Sequence, residues 1–329
     1  MRRKKFSENI FKGSDLMKKL AFIFPGQGAQ FVGMGKDLFD KFDVAKKIFA
    51  QADEALGYSI QKLCFEGPAD ELQLTANTQP AILTMSVVAS EILKENGIEP
   101  SIAGGHSLGE YSALVSAGAI DFQTAVVLVH HRGQYMQEAV PVGEGGMAAI
   151  IGLPDETIVD VCAEVSKSNQ VQAVNFNCPG QTVIAGTSKG VELAVEKLQA
   201  AGAKKAVILP VSAPFHSILM KPAAEKLALE LEKIDLKDAK FPVTSNFTGK
   251  LESKASEIKS NLISQADNPV HWIDCVNSMK DFGAELFIEA GPGKTLAGFN
   301  KRIDRKLETL TVGDLETLQK SLDYLGEVR

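Results

Sequence analysis

The chain has 329 residues, of which 45% are hydrophobic and 23% are charged. This length suffices for about two domains with a sizeable core, and the composition excludes a disordered or fibrous protein. The net charge of -6 argues against a general nucleic-acid-binding protein, so an enzyme is the first hypothesis.

The cysteines and the apolar runs indicate the compartment. No apolar run approaches the roughly 18 residues that a membrane helix needs, and the basic start of the chain is not followed by the apolar stretch of a secretory signal. The cysteines form no C-x-x-C pair, which predicts reduced thiols instead of a disulfide framework or a zinc site. They are Cys64, Cys162, Cys178 and Cys275. We therefore expect a cytoplasmic protein that binds neither membranes nor nucleic acids.

The first half of the chain alternates short apolar runs with helical patterns. Residues 1–16 are expected to form a disordered extension. Residues 20–24 and 100–104 are predicted strands, while residues 80–95 and 110–116 have helical patterns. Strands that alternate with helices predict a parallel sheet covered on both faces.

The order of predicted strands and helices changes in residues 141–212. Their pattern predicts the order β-α-β-β-α-β, which is the ferredoxin-like arrangement. The predicted strands are residues 147–151, 171–175, 182–185 and 206–211, with helices starting at Pro154 and spanning residues 189–201. We predict a small ferredoxin-like insert in a larger domain made of residues 17–140 and 213–329. The second part of that domain is predicted to contain a helix near 223–231, strands at 241–245 and 286–288, and a closing helix after Asp314.

A nucleophile motif follows the predicted strand at residues 100–104. Gly105-His106-Ser107-Leu108-Gly109 fits G-x-S-x-G between a strand and a helix, where the glycines allow a sharp turn that exposes Ser107. The backbone N–H of Leu108, at the start of the helix, can face a developing oxyanion. The alternative is a glycine-rich turn that carries an ordinary serine. The context favours a nucleophile.

A serine nucleophile needs a base, and the chain has five histidines. His106 lies inside the turn, whereas His130 and His131 fall in an apolar helical run that is typical of packed or surface histidines. His216 lies just beyond a predicted strand, and His271 is its competitor. We favour His216 as the base, with activity that falls as the pH drops through the histidine range.

Two glycine-rich turns elsewhere have other readings. Pro25-Gly26-Gln27-Gly28 follows the first predicted strand, where a backbone N–H could complete an oxyanion hole. A phosphate loop is the weaker alternative, because no third glycine and no Gly-Lys-Ser/Thr follows. Gly291-Pro292-Gly293-Lys294-Thr295 ends like a phosphate loop but lacks the opening glycine, so we interpret it as a tight turn.

Arg132 is the notable cation. It is the only lysine or arginine between Lys94 and Lys167, and it ends an apolar helical run. A buried guanidinium needs an anionic partner, and its planar fork suits a carboxylate. From the residues alone, a substrate carboxylate and a structural ion pair with Glu138 or Asp121 remain equal alternatives.

Six motifs in the same order resemble the malonyl-CoA:acyl carrier protein transacylase family. They are Phe24-Pro25-Gly26-Gln27-Gly28, Gly105-His106-Ser107-Leu108-Gly109-Glu110, Arg132-Gly133, the segment from Asn175 to Gln181, Phe215-His216-Ser217 and Gly291-Pro292-Gly293-Lys294. The match extends from about Met17 to about residue 310. The resemblance implies an α/β-hydrolase-like large domain with a ferredoxin-like insert.

The resemblance also implies roles for individual residues. Ser107 would be the acylated nucleophile, His216 its base, and Arg132 the clamp on the malonyl carboxylate. The backbone amides of Gln27 and Leu108 would form the oxyanion hole. The further family positions are Gln265, whose backbone carbonyl would orient the histidine, and Phe215, which resembles the malonyl-selective form because its ring would fill the room of an α-methyl branch. Residues 1–16 have no counterpart, and His271 stands where relatives often carry glutamine or arginine.

The implied reaction moves a malonyl group from coenzyme A to the phosphopantetheine thiol of acyl carrier protein through a seryl ester. No cofactor is expected, and the chain is expected to be a monomer. An acidic carrier protein would need a basic landing surface, for which the candidates are Lys204, Lys205, Lys301 and Arg302. The main alternative is a serine esterase or thioesterase with the same nucleophile turn. A non-catalytic domain that only holds acyl carrier protein is a further alternative.

Overall fold

The structure is a computed structural model that describes residues 19–211 and 213–327. The predicted extension at residues 1–16, and Met17 as the start of the ordered chain, lie outside these residues. The strands are β1 (Leu20–Phe24), β2 (Ile102–Gly105), β3 (Gly145–Ile151), β4 (Val171–Cys178), β5 (Gln181–Thr187), β6 (Lys205–Ile208), β7 (Val243–Thr244), β8 (Leu251–Glu252), β9 (Leu286–Ala290) and β10 (Glu308–Val312).

Helices make up most of the remaining regular structure. They are α1 (Lys36–Lys41), α2 (Asp43–Leu56), α3 (Ile60–Glu66), α4 (Ala69–Gln73), α5 (Thr75–Glu95), α6 (Leu108–Ser116), α7 (Phe122–Glu138), α8 (Asp155–Val165), α9 (Ser188–Ala200), α10 (Lys221–Glu232), α11 (Ala255–Gln265), α12 (Trp272–Asp281), α13 (Thr295–Ile303) and α14 (Leu315–Glu327). Within the described part of the chain, no helix is long and apolar enough to cross a membrane.

The larger sheet has six strands in the order β10-β9-β1-β2-β7-β8. All neighbouring pairs that contain β1, β2 or β9 are parallel, and only β8 runs antiparallel to its neighbour. Every residue of β1, β2 and β9 is buried, which explains their continuous apolar runs. The carboxyl ends of β1 and β2 meet at one edge, where Phe24 pairs with Gly105. Ligand sites in open parallel sheets lie at this edge.

Helices α5 and α7 pack beside this sheet and differ from the sequence prediction in one respect. Helix α5 begins at Thr75, five residues before the predicted start, so that Pro80 lies inside it. A proline has no N–H for the carbonyl four residues back, which here belongs to Ala76. His130 of α7 supplies the missing donor, because its Nδ1 lies 2.8 Å from the Ala76 oxygen. Tertiary contact therefore allows a helix that the local pattern did not predict.

The smaller sheet is antiparallel, with the order β4-β5-β3-β6. Its strands and helices follow each other as β3-α8-β4-β5-α9-β6, and α8 and α9 pack over it to form a separate apolar core. Strand β6 ends at Ile208, three residues before the predicted end. Strand β4 is bonded to the segment between α11 and α12, because Phe176 N donates to the Val270 carbonyl and Val270 N donates to the Val174 carbonyl.

Candidate active site

Ser107 lies in the sharp turn between β2 and α6. Its backbone has φ 53° and ψ −106°, a conformation that non-glycine residues rarely adopt. Both flanking glycines are needed sterically. A Cβ at Gly105 would overlap the backbone of Gly109, and a Cβ at Gly109 would overlap the carbonyl of Phe24. The turn therefore packs closely against the end of β1, and Ser107 lies at the edge of the sheet formed by the carboxyl ends of β1 and β2.

His216 completes a dyad with Ser107. Its Nε2 lies 2.6 Å from Ser107 Oγ, and its Nδ1 lies 2.9 Å from the Gln265 carbonyl. A carbonyl can only accept, so Nδ1 carries the proton and Nε2 is free to accept from the hydroxyl. A backbone oxygen at the end of α11 thus fixes the tautomer without a third carboxylate.

The dyad histidine is only 3% exposed and remains neutral over a wide pH range. Burial is the main cause and the nearby Arg132 guanidinium is the second, and the pKa of His216 is lowered to about 3. The Gln265 carbonyl acts in the opposite direction. A neutral imidazole can act as a base, so the site is prepared for proton abstraction at neutral pH.

Arg132 extends from α7 into the same cavity and is 2% exposed. Its Nη1 donates to Gln79 Oε1 at 2.8 Å. Its Nη2 donates to Gln265 Oε1 at 2.9 Å and to Ser107 Oγ at 3.2 Å. All three acceptors are neutral, and Nε has no hydrogen-bond partner. Arg132 is therefore a buried cation held by amides and a hydroxyl.

The ion-pair alternative for Arg132 is wrong for both suggested partners. Glu138 forms a surface ion pair with Lys226 at 2.8 Å. Asp121 is the N-cap of α7, where its carboxylate accepts from Thr124 N. No ion pair of Arg132 with a carboxylate occurs among residues 19–211 and 213–327. Burial lowers the pKa of Arg132, whereas Tyr111 and the buried carboxyl of Glu110 raise it. Glu110 makes no hydrogen bond to the guanidinium, however, and a buried cation without a directly bonded anion is costly, so the site is suited to an anionic ligand.

These groups line one cavity of about 110 Å³. One wall is polar and comes from the loops and helices around the larger sheet, with Gln27, Ser107, Arg132 and His216 as its main members. We call the apolar lining residues the apolar wall. They are Met136 of α7, Met147 of β3, Leu209, Val211 and Phe215, and Asn175 of β4 adds a polar group from the smaller sheet.

Comparisons with known proteins agree with this geometry. The chain matches the acyl transferase domain family over residues 21–312. It is 51% identical over 312 residues to the malonyl CoA-acyl carrier protein transacylase of Bacillus subtilis, covering 94% of this chain and 98% of the relative. It is 49% identical to the Escherichia coli enzyme of the same name, covering 91% and 96%. The chain belongs to the malonyl CoA-acyl carrier protein transacylase family.

Solved structures of this transacylase family have the same fold. An acyl carrier protein S-malonyltransferase from Vibrio cholerae superposes with a TM-score of 0.90 at 48% identity, covering 92% of this chain and 99% of the other. The malonyl-transacylase PlMCAT, solved in complex with a type II PKS acyl-carrier protein, gives a TM-score of 0.91 at 46% identity, covering 93% and 99%. Both superpositions confirm a mixed α/β fold.

The two oxyanion candidates of this family member lie beside the nucleophile. Gln27 follows β1, lines the cavity and donates from Nε2 to Thr75 Oγ1 at 3.3 Å. Leu108 is the first residue of α6. The first N–H groups of a helix have no partners inside it, so the Leu108 amide is available to a ligand at the positive end of α6.

Several sequence candidates lie elsewhere. His271 stacks on Phe176 with ring centroids 5.4 Å apart and has Nδ1 3.7 Å from Asp274 Oδ2, and it does not line the cavity. Lys204, Lys205, Lys301 and Arg302 are exposed. Arg302 is partly engaged, because it donates to Gln181 Oε1 at 2.7 Å and to the Pro179 carbonyl at 2.9 Å.

Three amide side chains at the site were not predicted from the sequence. Asn246 Oδ1 accepts from Ser107 N at 2.5 Å, Asn177 Oδ1 lies 2.8 Å from His106 Nε2, and Gln79 holds Arg132. Asn177 lies in the motif from Asn175 to Gln181, but no role was expected for it, whereas Asn246 lies outside all six motifs. Its position in the fold was nevertheless a usable signal. It follows strand β7, at the same edge of the larger sheet as Ser107, where polar residues after a strand are often functional.

Proposed function

We propose that this chain transfers a malonyl group from coenzyme A to the phosphopantetheine thiol of acyl carrier protein through an ester on Ser107. The observation that carries the proposal is the buried guanidinium of Arg132, which has neutral partners and lies 3.2 Å from Ser107 Oγ. A small acyl group that ends in a carboxylate supplies the missing anion beside the nucleophile.

In the first half-reaction, His216 Nε2 takes the proton from Ser107 Oγ as the oxygen attacks the thioester carbonyl. The oxyanion accepts hydrogen bonds from the backbone amides of Gln27 and Leu108. When the tetrahedral intermediate collapses, His216 returns the proton to the sulfur, and coenzyme A leaves as a thiol. The 2.6 Å contact between Oγ and Nε2 supports this step.

The second half-reaction reverses the first with another thiol. His216 takes the proton from the phosphopantetheine sulfur, the thiolate attacks the seryl ester, and the proton returns to Ser107 Oγ. The ester must survive until the carrier protein arrives. Burial of His216 and the apolar wall limit the access of water during this wait.

Arg132 orients the malonyl group in both half-reactions. Its guanidinium would accept the substrate carboxylate as a charge-assisted pair, while Gln79 and Gln265 keep it in place. Phe215 would limit the width of the acyl group, because its ring lines the apolar wall and is only 9% exposed. Together they would select a short, unbranched dicarboxylic acyl group.

The dyad alone would also serve a serine esterase or thioesterase. Family membership and Arg132, whose hydrogen-bond partners are all neutral, favour the transferase. A hydrolase of neutral esters has no use for a buried cation at the nucleophile. A hydrolase would turn over with water as acceptor. A transacylase holds the ester until a thiol arrives, which separates the two activities experimentally.

The proposal also includes the partner protein, the compartment, the oligomeric state and the domain organisation. The relative PlMCAT was solved with an acyl-carrier protein, which supports a carrier protein as partner. The exposed Lys204, Lys205, Lys301 and Arg302 are the proposed landing surface. We propose a cytoplasmic monomer that uses no cofactor. Residues 17–140 and 213–329 would form the α/β-hydrolase-like domain and residues 141–212 the ferredoxin-like insert, which the strand order β4-β5-β3-β6 supports.

The proposal is tested by intact-protein mass after brief mixing with malonyl-CoA in the absence of a thiol acceptor. We expect a gain of one malonyl group, mapped to Ser107 in a peptide digest, and no gain in Ser107→Ala. Adding carrier protein with its phosphopantetheine arm should remove the adduct and malonylate the carrier. An adduct on a cysteine, or rapid release of free malonate, would refute the transferase assignment.

A further inference from the structure

A buried carboxyl group lies behind the nucleophile and has no part in the reaction steps above. Glu110 is in the first turn of α6, three residues after Ser107, and is completely buried. Its Oε2 accepts from Asn246 N at 2.8 Å and from Gln265 Nε2 at 2.9 Å, while Oε1 has no hydrogen-bond partner. Its hydrogen-bond donors are neutral, and Arg132 acts on it only electrostatically, lowering its pKa less than burial raises it. A buried acid without a bonded cation is costly, so its hydrogen bonds need an explanation.

Both acceptor contacts of Glu110 lead to Ser107. Asn246 accepts from Ser107 N through Oδ1 at 2.5 Å and donates from Nδ2 to the Gly105 carbonyl at 2.7 Å. Gln265 donates from Nε2 to the Ser107 carbonyl at 2.9 Å. The backbone N–H and C=O of the nucleophile are therefore each held by a residue that Glu110 Oε2 also binds.

Ser107 needs such support because of its backbone conformation. At φ 53° and ψ −106° it occupies a region that is strained for a residue with a side chain, and it persists only where surrounding contacts fix it. The Asn246 and Gln265 contacts come from the segment after β7 and from the last residue of α11. The covalent chain of the turn alone does not provide them.

The same carboxyl group, together with the Ser107 carbonyl, orients the Gln265 amide. Oε2 has to accept, so the NH₂ group of Gln265 points to Glu110 and its Oε1 points to Arg132, 2.9 Å from Nη2. A reversed amide would present its NH₂ group to the guanidinium. The orientation that suits Glu110 is thus the one that holds Arg132.

We propose that Glu110 is a positioning residue that keeps Ser107 in its reactive backbone conformation through Asn246 and Gln265. This inference rests on the proposed function, in which Ser107 is the nucleophile. Glu110 touches neither substrate nor reacting atom, and its contribution is the single acceptor atom Oε2 that two N–H groups share.

The charge of Glu110 is not what the two amides require. Burial first and then the neighbouring Glu252 raise the pKa of Glu110, against smaller lowering effects of Asn246, Gln265 and Arg132. The carbonyl oxygen of a protonated acid accepts hydrogen bonds as a carboxylate oxygen does. Glutamine at residue 110 can offer the same oxygen in the same place. Methionine has similar length and offers no comparable acceptor, so these two substitutions separate the acceptor from the volume.

Glu252 provides a matched control. It is also buried, at 4% exposure, and burial raises its pKa as well. Its Oε2 accepts from Asn261 Nδ2 at 2.5 Å, and its Oε1 has no partner. Asn261 has no hydrogen bond to Ser107. Glu252→Met therefore removes a buried acid and leaves every hydrogen bond of Glu110, Asn246 and Gln265 in place. It also removes the charge that raises the pKa of Glu110, so it tests whether the ionisation of Glu110, as distinct from its acceptor atom, matters.

The experiment follows malonylation of Ser107 by rapid-quench intact mass, which yields a rate constant and a final labelled fraction. A loss of folded protein lowers the labelled fraction, whereas a misplaced nucleophile lowers the rate constant. We expect Glu110→Met to lower the rate constant by about ten- to a hundredfold for both malonyl-CoA and acetyl-CoA, since a small displacement of a reacting group can cost that much. Glu110→Gln and Glu252→Met should stay within about threefold of the wild type.

Other outcomes overturn the proposal. A Glu110→Met rate constant equal to wild type, or a Glu110→Gln defect as large as that of Glu110→Met, excludes an acceptor role. A lower rate constant for malonyl-CoA alone would mean that Glu110 positions Arg132 and not Ser107. If Glu110→Met yields no soluble protein, Asn246→Ala removes the next contact in the same path and should show the same slow labelling of both substrates.

Failure of the proposed function can be recognised separately. If the wild type forms no malonyl ester at all, the proposed function is wrong. The positioning role is then measured with a fluorophosphonate, which labels reactive serines regardless of their natural acyl donor. Slow labelling in Glu110→Met with normal labelling in Glu110→Gln would support the positioning role, and equal labelling in both would overturn it.

Discussion

The larger and the smaller sheet contribute unlike walls to one cavity. Around the larger sheet, Ser107 and Gln27 follow parallel strands, and Arg132 extends from a buried helix. Each is fixed by hydrogen bonds to other buried polar groups. The smaller sheet contributes Met147 and the neighbouring segment that carries Leu209, which line the cavity through apolar contact, and Asn175 of β4 is the polar exception. The charged group and the proton-transferring groups thus come from around the larger sheet, and the smaller sheet mainly limits the volume of the cavity.

This difference sets the size of the effects to be expected from substitution. A group in the polar wall has bonded partners, and its loss leaves those partners unsatisfied in a buried place. A group in the apolar wall changes only the volume and the contacts that an acyl group meets, and such changes in a pocket are smaller. Variants of the polar wall should therefore abolish or redirect the reaction, and variants of the apolar wall should adjust selectivity.

The largest effect is expected at His216. Replacing it by alanine removes the base, and kcat for malonyl transfer should fall by about a hundred- to ten-thousandfold, which is the range for general-base catalysis. The measurement is carrier-protein malonylation at saturating malonyl-CoA. His271→Ala is the control, because His271 stacks on Phe176 outside the cavity, and its kcat should stay within about twofold of the wild type. The reverse ranking would move the base to His271.

The next largest effect is expected at Arg132. A charge-assisted pair is worth about 1.5–3 kcal/mol, so Arg132→Ala should lower kcat/KM for malonyl-CoA by one to two decades more than for acetyl-CoA. Arg132→Lys should recover little, because one ammonium cannot contact Gln79, Gln265 and a carboxylate with a planar fork. An equal loss for both substrates would mean that Arg132 has a structural role only.

The polar wall was only partly predictable from the sequence. The nucleophile turn has a local signature, since Gly105 and Gly109 must lack side chains for the turn to pack against β1. The support of Ser107 has no such signature. Asn246 is 139 residues away and Gln265 is 158 residues away, and single amides are common on protein surfaces. Contacts of that separation are set by the packing of the whole sheet.

The fold, too, was only partly predictable from the sequence. Strands β1, β2 and β9 were predicted because continuous burial gives them continuous apolar runs. Strand β10 has intermediate burial at four of its five residues and was missed. The first turn of α5 was missed because Pro80 locally signals a helix start, and only His130 from another helix makes the longer helix acceptable.

A smaller effect is expected at Phe215, which lines the apolar wall. Phe215→Ser removes the ring and opens room for an α-methyl branch, so kcat/KM for methylmalonyl-CoA relative to malonyl-CoA should rise by roughly three- to tenfold. The two substrates should be compared in direct competition. Phe215→Leu keeps most of the bulk and should change the ratio less. An unchanged ratio in Phe215→Ser would assign branch exclusion to other residues of the wall.

The smallest effect is expected in the pH dependence of wild-type activity, because His216 is buried in the cavity. The active form of His216 is neutral, so activity disappears as the pH falls through its pKa. A histidine with the ordinary pKa of about 6.5 would lose roughly tenfold in kcat/KM at about pH 5.5. Burial is the largest cause and Arg132 the next largest, and the pKa of His216 is lowered to about 3. The wild type should therefore lose less than about twofold in kcat/KM between about pH 7.5 and 5.5. This differs from the sequence-based expectation that activity falls in the histidine range.

Arg132→Ala sharpens this prediction when it is assayed with acetyl-CoA. Its activity should begin to fall at a higher pH than that of the wild type, but still below the pH range of an ordinary histidine, because burial is the larger cause of the lowered pKa. Preincubation at the lower pH followed by assay at the higher one separates titration from unfolding. A reversible tenfold loss in the wild type would mean that His216 titrates as an exposed histidine does and that the cavity is open to water.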